Sequence, residues 1–413
     1  MNRKQFALLF FLLVVVGLGG LMIYTRQNDY RSAGNQNLGK KLLENFPLND
    51  VAHIALRQGS NGVNLVKQDQ VWRVRERGDY PANYSELSEF LIKLGDQKVV
   101  SSEKAGASDL ARLGLVPGAA TNAALVVELR DGKEKPIQTV VLGKKHVQKS
   151  NRPSPFGDMG DSGFPDGRFV KVGSNSDTVE LIAEPFSNIE PKPEQWLNKD
   201  FFKVDKVRAI AVAFPTATNS WKITRDTETA EWKLADAKPG EQLDSAKTSG
   251  LSNPLSAPSF NDVETSAKPE QALSDKPTVV TLDTFENFSY LLKVGQKTND
   301  NYPLAMTVSA QFPKERTAPK DEKPEDKARL DKEFKDNQKK LEEKLAQEKP
   351  YEKWVYLVSS WTLDPVLKER SQLLVEKKEE PKATNSPVAT ASEPLKPPAS
   401  LGQAGTNGPP KAN

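Results

Sequence analysis

The sequence predicts an α+β protein. It is a tandem duplication of a strand-rich unit, with antiparallel sheets and one packed helix per copy, preceded by a single transmembrane helix. Three observations carry this. Segments Val51–Leu56, Asn64–Lys67 and Val71–Val74 return as Val207–Val212, Trp221–Thr224 and Glu231–Leu234, and the echo continues from Val126–Leu129 to Val279–Leu282 and from Val179–Ile182 to Val355–Val358. The offset is roughly 155 residues, a duplicated domain and not a solenoid, whose repeats run about 20–50. Apolar alternation dominates both copies, broken once in the first by a helical stripe. Finally, Phe6–Tyr24 is an unbroken apolar and glycine run behind Arg3 and Lys4.

That run is just long enough to cross a hydrocarbon layer of about 30 Å, which takes about 20 helical residues. The polar Thr25–Asp29 behind it makes a poor cleavage site, so residues 1–26 are expected to stay as an anchor. The expected placement is the bacterial inner membrane, single-pass, with the bulk of the chain on the periplasmic or extracytoplasmic side. Residues 27–46 read as a polar stalk.

Copy one is placed at 47–200. It opens with a strand over 51–56, turns at Asn61-Gly62 into 63–67, and turns again at Asp69-Gln70 into the Trp72 strand. A helix follows over about 84–94, where Leu87, Phe90, Leu91 and Leu94 repeat at i, i+3, i+4, i+7 and Asn83 with Glu86 makes a capping-box-like start. Strands over 123–130 and 137–142 flank the Asp131-Gly132 hairpin signal, and a Gly/Pro/Asp-rich loop at 150–167 leads to strands at 168–172 and 178–183.

Copy two is placed at 201–376. Its expected helix carries Pro254 between Leu251 and Leu255. Between its strands lies a charged insertion at about 314–350, which reads as a helix from Glu325 to Gln347 with i,i+4 charge pairs. Leu330, Phe334, Leu341 and Leu345 form its narrow apolar stripe, a candidate partner-contact surface for another helix. A stripe this thin buries little, so removing about 316–348 is expected to leave the body folded. Residues 377–413 have almost nothing to bury and read as a disordered tail.

Several functions are disfavoured by composition. The chain of 413 residues has a net charge of +3 with both signs interleaved, unlike a nucleic-acid groove. It has no cysteine and only two histidines, which leaves no thiol chemistry and no ordinary zinc set. No phosphate-loop or dinucleotide fingerprint occurs, and no cofactor is expected. Gly160-Asp161-Ser162-Gly163 matches four residues of the serine-protease nucleophile signature, with Ala52-His53 ahead of it. A serine hydrolase using Ser162 and His53 is therefore a remote alternative, weakened because His53 falls inside an expected strand and a triad needs the imidazole at a loop edge. Asp158, Asp161 and Asp166 lack the alternate spacing of a calcium loop.

The order of segments resembles the bacterial domain of unknown function 4340 over roughly 47–376. The resemblance rests on Trp72, the step from Tyr80-Pro81 to Asn83, Leu113-Gly-Leu115 with Pro117, Arg168–Lys171, and the linker Trp196–Phe202. It implies a non-enzymatic, membrane-anchored envelope protein, an accessory or scaffold subunit of an ABC-transporter-like complex of the gliding-motility type, with no catalytic residues to carry over. The other expectation held open is an independent module for envelope polymers, with a cleft between the copies lined by exposed aromatics.

Overall fold

In the computed structural model, the described residues are 16–18, 20, 37–118, 123–147, 164–173, 176–265, 271, 273, 275–318 and 322–376. The first copy supplies β1 (His53–Gln58), β2 (Asn61–Gln68), β3 (Val71–Val74) and β4 (Tyr80–Pro81), then helix α1 (Tyr84–Asp96). After these come β5 (Val99–Lys104), the short helix α2 (Ala107–Arg112), β6 (Leu125–Arg130), β7 (Pro136–Val147), β8 (Pro165–Val172) and β9 (Thr178–Ile182). They form one antiparallel sheet in the order β4-β3-β2-β1-β6-β7-β8-β9-β5.

Alternation decides which face is covered. β6 buries Leu125, Val127 and Leu129 at every second position, and β1 sets Ile54 opposite Leu65 of β2 and Leu129 of β6. On α1, the stripe read from the sequence is the buried one, Leu87, Phe90, Leu91 and Leu94, and Asn83 Oδ1 accepts the Glu86 N–H at 3.4 Å as its cap.

The second copy repeats eight of the nine strands of the first sheet and has no counterpart of β4. β10 (Val207–Ala213), β11 (Trp221–Thr224), β12 (Lys233–Leu234), helix α3 (Ser245–Thr248), β13 (Phe260–Val263), β14 (Thr278–Thr284), β15 (Phe288–Val294) and β16 (Asn301–Ala310) lead to the long helix α4 (Pro324–Glu348). β17 (Val355–Ser359), α5 (Ser360–Leu363) and α6 (Arg370–Leu373) close it. The order β12-β11-β10-β14-β15-β16-β17-β13 matches β3-β2-β1-β6-β7-β8-β9-β5 position by position. Register agrees too: Ile54 faces Leu65 as Ile210 faces Ile223, and Leu65 faces Val74 as Ile223 faces Leu234. Trp72 and Trp232 are thereby equivalent, but Trp72 is buried whereas Trp232 is half-buried beside the two-residue β12.

The expected architecture needs three corrections. Copy two has no packed helix equivalent to α1. Between β12 and β13 it has only the four residues of α3 and a 3-10 turn over Ser249–Leu251, because Gly250, Asn253 and Pro254 disfavour a longer helix. The fold is thus strand-rich, with two large sheets and few helices. Secondly, among the described residues no helix is long and apolar enough to cross a membrane. This overturns the single-pass inner-membrane anchor and the extracytoplasmic placement drawn from it. Apart from 16–18 and 20, the expected span Phe6–Tyr24 lies outside the described residues, as do residues 377–413 of the tail and 27–36 of the stalk. Thirdly, Leu42 and Leu43 are buried in the core, and Lys41 bridges Lys98, so residues 41–43 belong to the body and not to a stalk.

One buried cluster runs through both sheets, from Ile54, Trp72 and Phe90 to Ile210, Tyr290 and Tyr356, and a satellite cluster lies around Leu113, Leu115 and Val141. The copies share a core, and the interesting chemistry lies where they meet.

Candidate functional site

The linker between the copies enters through Trp196, Leu197 and Phe202, each almost fully buried. Trp196 is fixed by its indole N–H, which donates to the Glu190 carbonyl at 2.9 Å. Phe201 then becomes the hub of an aromatic joint: its ring centroid lies 5.1 Å from Phe260, 5.8 Å from Tyr351 and 4.5 Å from Tyr356. Tyr80 of copy one completes the joint, 5.1 Å from Trp354 and 5.9 Å from Phe260, in edge-on geometry. Beside it, Arg77 grips Asp262 with both arms of its guanidinium, Nε to Oδ1 at 2.6 Å and Nη2 to Oδ2 at 2.7 Å. The Asp262 hydrogen bonds raise the Arg77 pKa above the ordinary arginine value.

Next to this joint opens a cleft of about 790 Å³, whose lining includes Lys199, Asp200, Lys203, Lys344, Glu348 and Tyr351. It is formed where α4 leaves the body. Glu348, the last residue of α4, is 5% exposed, and burial raises its pKa above the ordinary carboxyl range. Both of its oxygens are engaged: Oε1 accepts the Lys203 N–H at 3.0 Å and Oε2 accepts the Tyr290 hydroxyl at 2.7 Å. The Tyr290 hydroxyl is itself pushed well above the usual tyrosine value, first by burial. One turn back along α4, the Lys344 ammonium donates to the Lys203 carbonyl at 2.9 Å and sits 5.0 Å from the Phe288 ring centroid. This carboxylate holds a helix in place and has no lone oxygen left to act as a base.

The stripe expected to contact a partner is divided. Leu341 and Leu345 pack against the shared core, whereas Leu330 and Phe334 lie toward the other end of α4, half-buried and outside that cluster. Near that end, Arg316 donates to Glu322 through Nη1 and Nη2, both at 2.6 Å, and to Asp331 through Nε at 3.0 Å, which fastens the incoming chain to the helix.

His53 is 4% exposed within β1, and both ring nitrogens face acceptors: Nδ1 and Glu134 Oε2 are 2.7 Å apart, Nε2 and Asn64 Oδ1 3.0 Å. A buried, doubly engaged imidazole has no nitrogen to offer a nucleophile, and Ser162 lies outside the described residues. Asp158 and Asp161 are outside them as well, while Asp166 Oδ1 is 2.6 Å from His146 Nδ1. Among the described residues there is no cluster of three or more side chains suited to a metal. Of the aromatics between the copies, Phe201 and Tyr351 border the cleft, whereas the others of the joint are closed off from it. Tyr80, Phe260 and Tyr356 are no more than 3% exposed.

Residues 156–277 match the family model for a domain of unknown function, DUF4340. The chain carries a DUF4340 segment. This stretch is narrower than the 47–376 over which the order of segments resembles the family, and it runs from ahead of β8 to the residue before β14. The DUF4340 match therefore straddles the joint, taking in Trp196, Phe201, Phe260 and Asp262. No curated protein and no solved structure matches the chain.

Sequence reasoning missed Arg77, Asp262 and Glu348. Each is one charge among many in a chain with 58 basic and 55 acidic residues, so no local signal separates a buried ion pair from a solvated one. Tyr80 stands directly before Pro81, Phe201 lies in the linker Trp196–Phe202 and Tyr356 in the repeated Val355–Val358, so these members of the joint fell in segments already singled out.

Proposed function

We propose that this protein is non-enzymatic and acts by contact, as an accessory or scaffold subunit of an ABC-transporter-like complex, presenting the half of α4 that carries Leu330 and Phe334 to its partner. The observation that carries this reading is the divided stripe. The root of the helix is latched to the second sheet by Glu348, Lys344, Leu341 and Leu345, and the remaining apolar pair lies beyond the latch. A two-sheet body with a continuous core makes a stiff support for such an arm, and satisfied polar groups at its root favour holding over chemistry. The transporter-type partner comes from the family resemblance alone.

The test is site-specific photo-crosslinking from position 334 in the native host, with the neighbouring transporter subunits identified by mass. Crosslinks to those subunits, lost on Leu330→Asp, are expected. Equal recovery of the subunits with the parent chain and with Leu330→Asp plus Phe334→Asp removes the arm from the interaction.

A further inference from the structure

Arg168 is 8% exposed on β8, and its hydrogen bonds are unusual for a buried cation. Nε donates to the Gly143 carbonyl at 2.9 Å, and Nη1 donates to the carbonyls of Pro185 and Phe186 at 3.2 and 3.0 Å. No carboxylate pairs with it among the described residues, and its Nη2 makes no hydrogen bond among them. Burial alone pushes its pKa down to about 10. An unpaired buried charge is costly, so its retention asks for an explanation.

The other two buried arginines show what this protein does otherwise. Arg370 is met by carboxylates: Nη1 donates to Asp236 at 3.0 Å and Nη2 to Glu241 at 2.7 Å. Arg225 uses carbonyls, but all three of its nitrogens are engaged, by Val207, Glu228 and Ser252, and its guanidinium stacks 4.7 Å from the Trp232 ring centroid. Among the described residues, Arg168 alone of the three keeps an edge without a hydrogen bond. In the duplicated sheet its register partner is Tyr302, since Arg168 faces Ile182 as Tyr302 faces Val358, so the second copy has no arginine at that position.

Arg168 also borders a pocket of about 350 Å³ whose walls include Gln58, Asn61, Lys145, Glu190 and Lys192. Glu190 is the pocket's carboxylate. Lys192 Nζ lies 2.6 Å from Glu190 Oε2, and this hydrogen bond, with a smaller contribution from Lys145, holds the Glu190 pKa below the ordinary range. Three cations against one carboxylate leave two positive charges around a space big enough for a small ion. A carboxylate would neutralise one of them, whereas a phosphate carries about −1.5 to −2 at neutral pH and offers three or more acceptor oxygens.

We propose that this pocket binds a phosphate group, taking hydrogen bonds from Arg168 Nη2 and from the ammonium groups of Lys145 and Lys192. The ligand is inorganic phosphate or a small phosphomonoester, and the site is separate from the arm and its latch.

Isothermal titration calorimetry on the full chain at constant ionic strength tests this, with sodium phosphate, glycerol 3-phosphate and sodium acetate as probes. Saturable one-site binding of a phosphate probe is expected, with Kd near or below about 1 mM. Lys145→Gln with Lys192→Gln is expected to weaken it at least about tenfold while leaving the circular dichroism spectrum and the unliganded Tm unchanged, since both lysines are exposed. Arg168→Lys serves as a second variant and should weaken binding further. If it fails to fold, the lysine pair still decides the question. Tighter binding of glycerol 3-phosphate points to an ester, and equal binding to the free ion. Heats that do not saturate, affinity unchanged in the double variant, or acetate binding as tightly as phosphate would each overturn the proposal.

Discussion

The two copies of the sheet agree in strand order and register and differ in what covers them. Copy one lays the thirteen-residue α1 across its sheet and buries four large apolar residues from it. Copy two has only α3 and a 3-10 turn at that place, with Leu251 and Leu255 as the buried contacts, and puts its long helix elsewhere, between β16 and β17. The sheet survives duplication because its pairs are local and repetitive, and a one-residue slip would turn every buried side chain outward. The cover is free to diverge, since any element that supplies enough apolar area will serve. What has changed between copies is therefore the best guide to what each copy does: an arginine pocket in the first, a latched arm in the second.

The largest expected effect distinguishes the two tryptophans. Trp72→Ala empties a buried site and should cost about 3–5 kcal/mol in chemical denaturation. Trp232→Ala should cost less, about 1–2 kcal/mol, because its ring is half-exposed and its buried indole N–H has no partner among the described residues. Equal costs would mean that the copies are alike in energy as well as in register.

Next comes the joint. Arg77→Ala strands the partly buried Asp262 carboxylate and should cost about 1.5–3 kcal/mol. Arg77→Ala should also lower the Tm of the whole body in a single transition, whereas two transitions by calorimetry would show the copies melting apart.

The arm gives a smaller effect with a sharp boundary. Replacing 319–338 by a short Gly/Ser linker keeps Leu341, Leu345 and Glu348 and should leave the Tm nearly unchanged. Extending the deletion to 316–348 removes the acceptor of the Lys203 N–H and leaves the buried Tyr290 hydroxyl only the Lys203 carbonyl at 3.3 Å, and it should lower the Tm, with a loss of stability on the order of 1–3 kcal/mol. The simple expectation that the whole insertion is dispensable fails at this latch.

The smallest effect is in pH. The Glu348 pKa is raised on folding, so its favourable contribution is fully present below the ordinary carboxyl value and is lost as pH rises through the folded value. Glu348→Gln should gain on the parent as pH rises from acid to neutral. Glu241 is opposite: Arg370 first, then the Lys238 N–H, pull its pKa down to about 2, so its contribution holds above the ordinary value and fades as pH falls toward the folded one. Glu241→Gln should lose most at neutral pH and least in acid. Parallel curves for the two variants would refute both assignments.

Much of the sheet was legible because short-range pattern writes it. The stripe on α1, the Asn83 cap and the Asp131-Gly132 turn all act within a few residues. β5 and β13 were not legible. Val99–Lys104 and Phe260–Val263 alternate poorly, and each is made a strand by pairing with β9 or β17 far along the chain. The candidate site was less legible still. Leu341 and Leu345 look the same in the sequence as Leu330 and Phe334, and only packing separates the anchored pair from the presented one. Arg168 lay in a quoted segment, but that no carboxylate among the described residues meets it is a property of space.

Arg77 and Asp262 are separated by 185 residues, with the joint between the copies sealed by their contact. On a ribosome moving at about 5–20 residues per second, Arg77 emerges roughly 10–40 s before the carboxylate it grips. During that interval Tyr80 has no aromatic partners, and the first copy carries an unfinished apolar edge. A nascent chain of this design can complete the joint only after Trp354 and Tyr356 have been made.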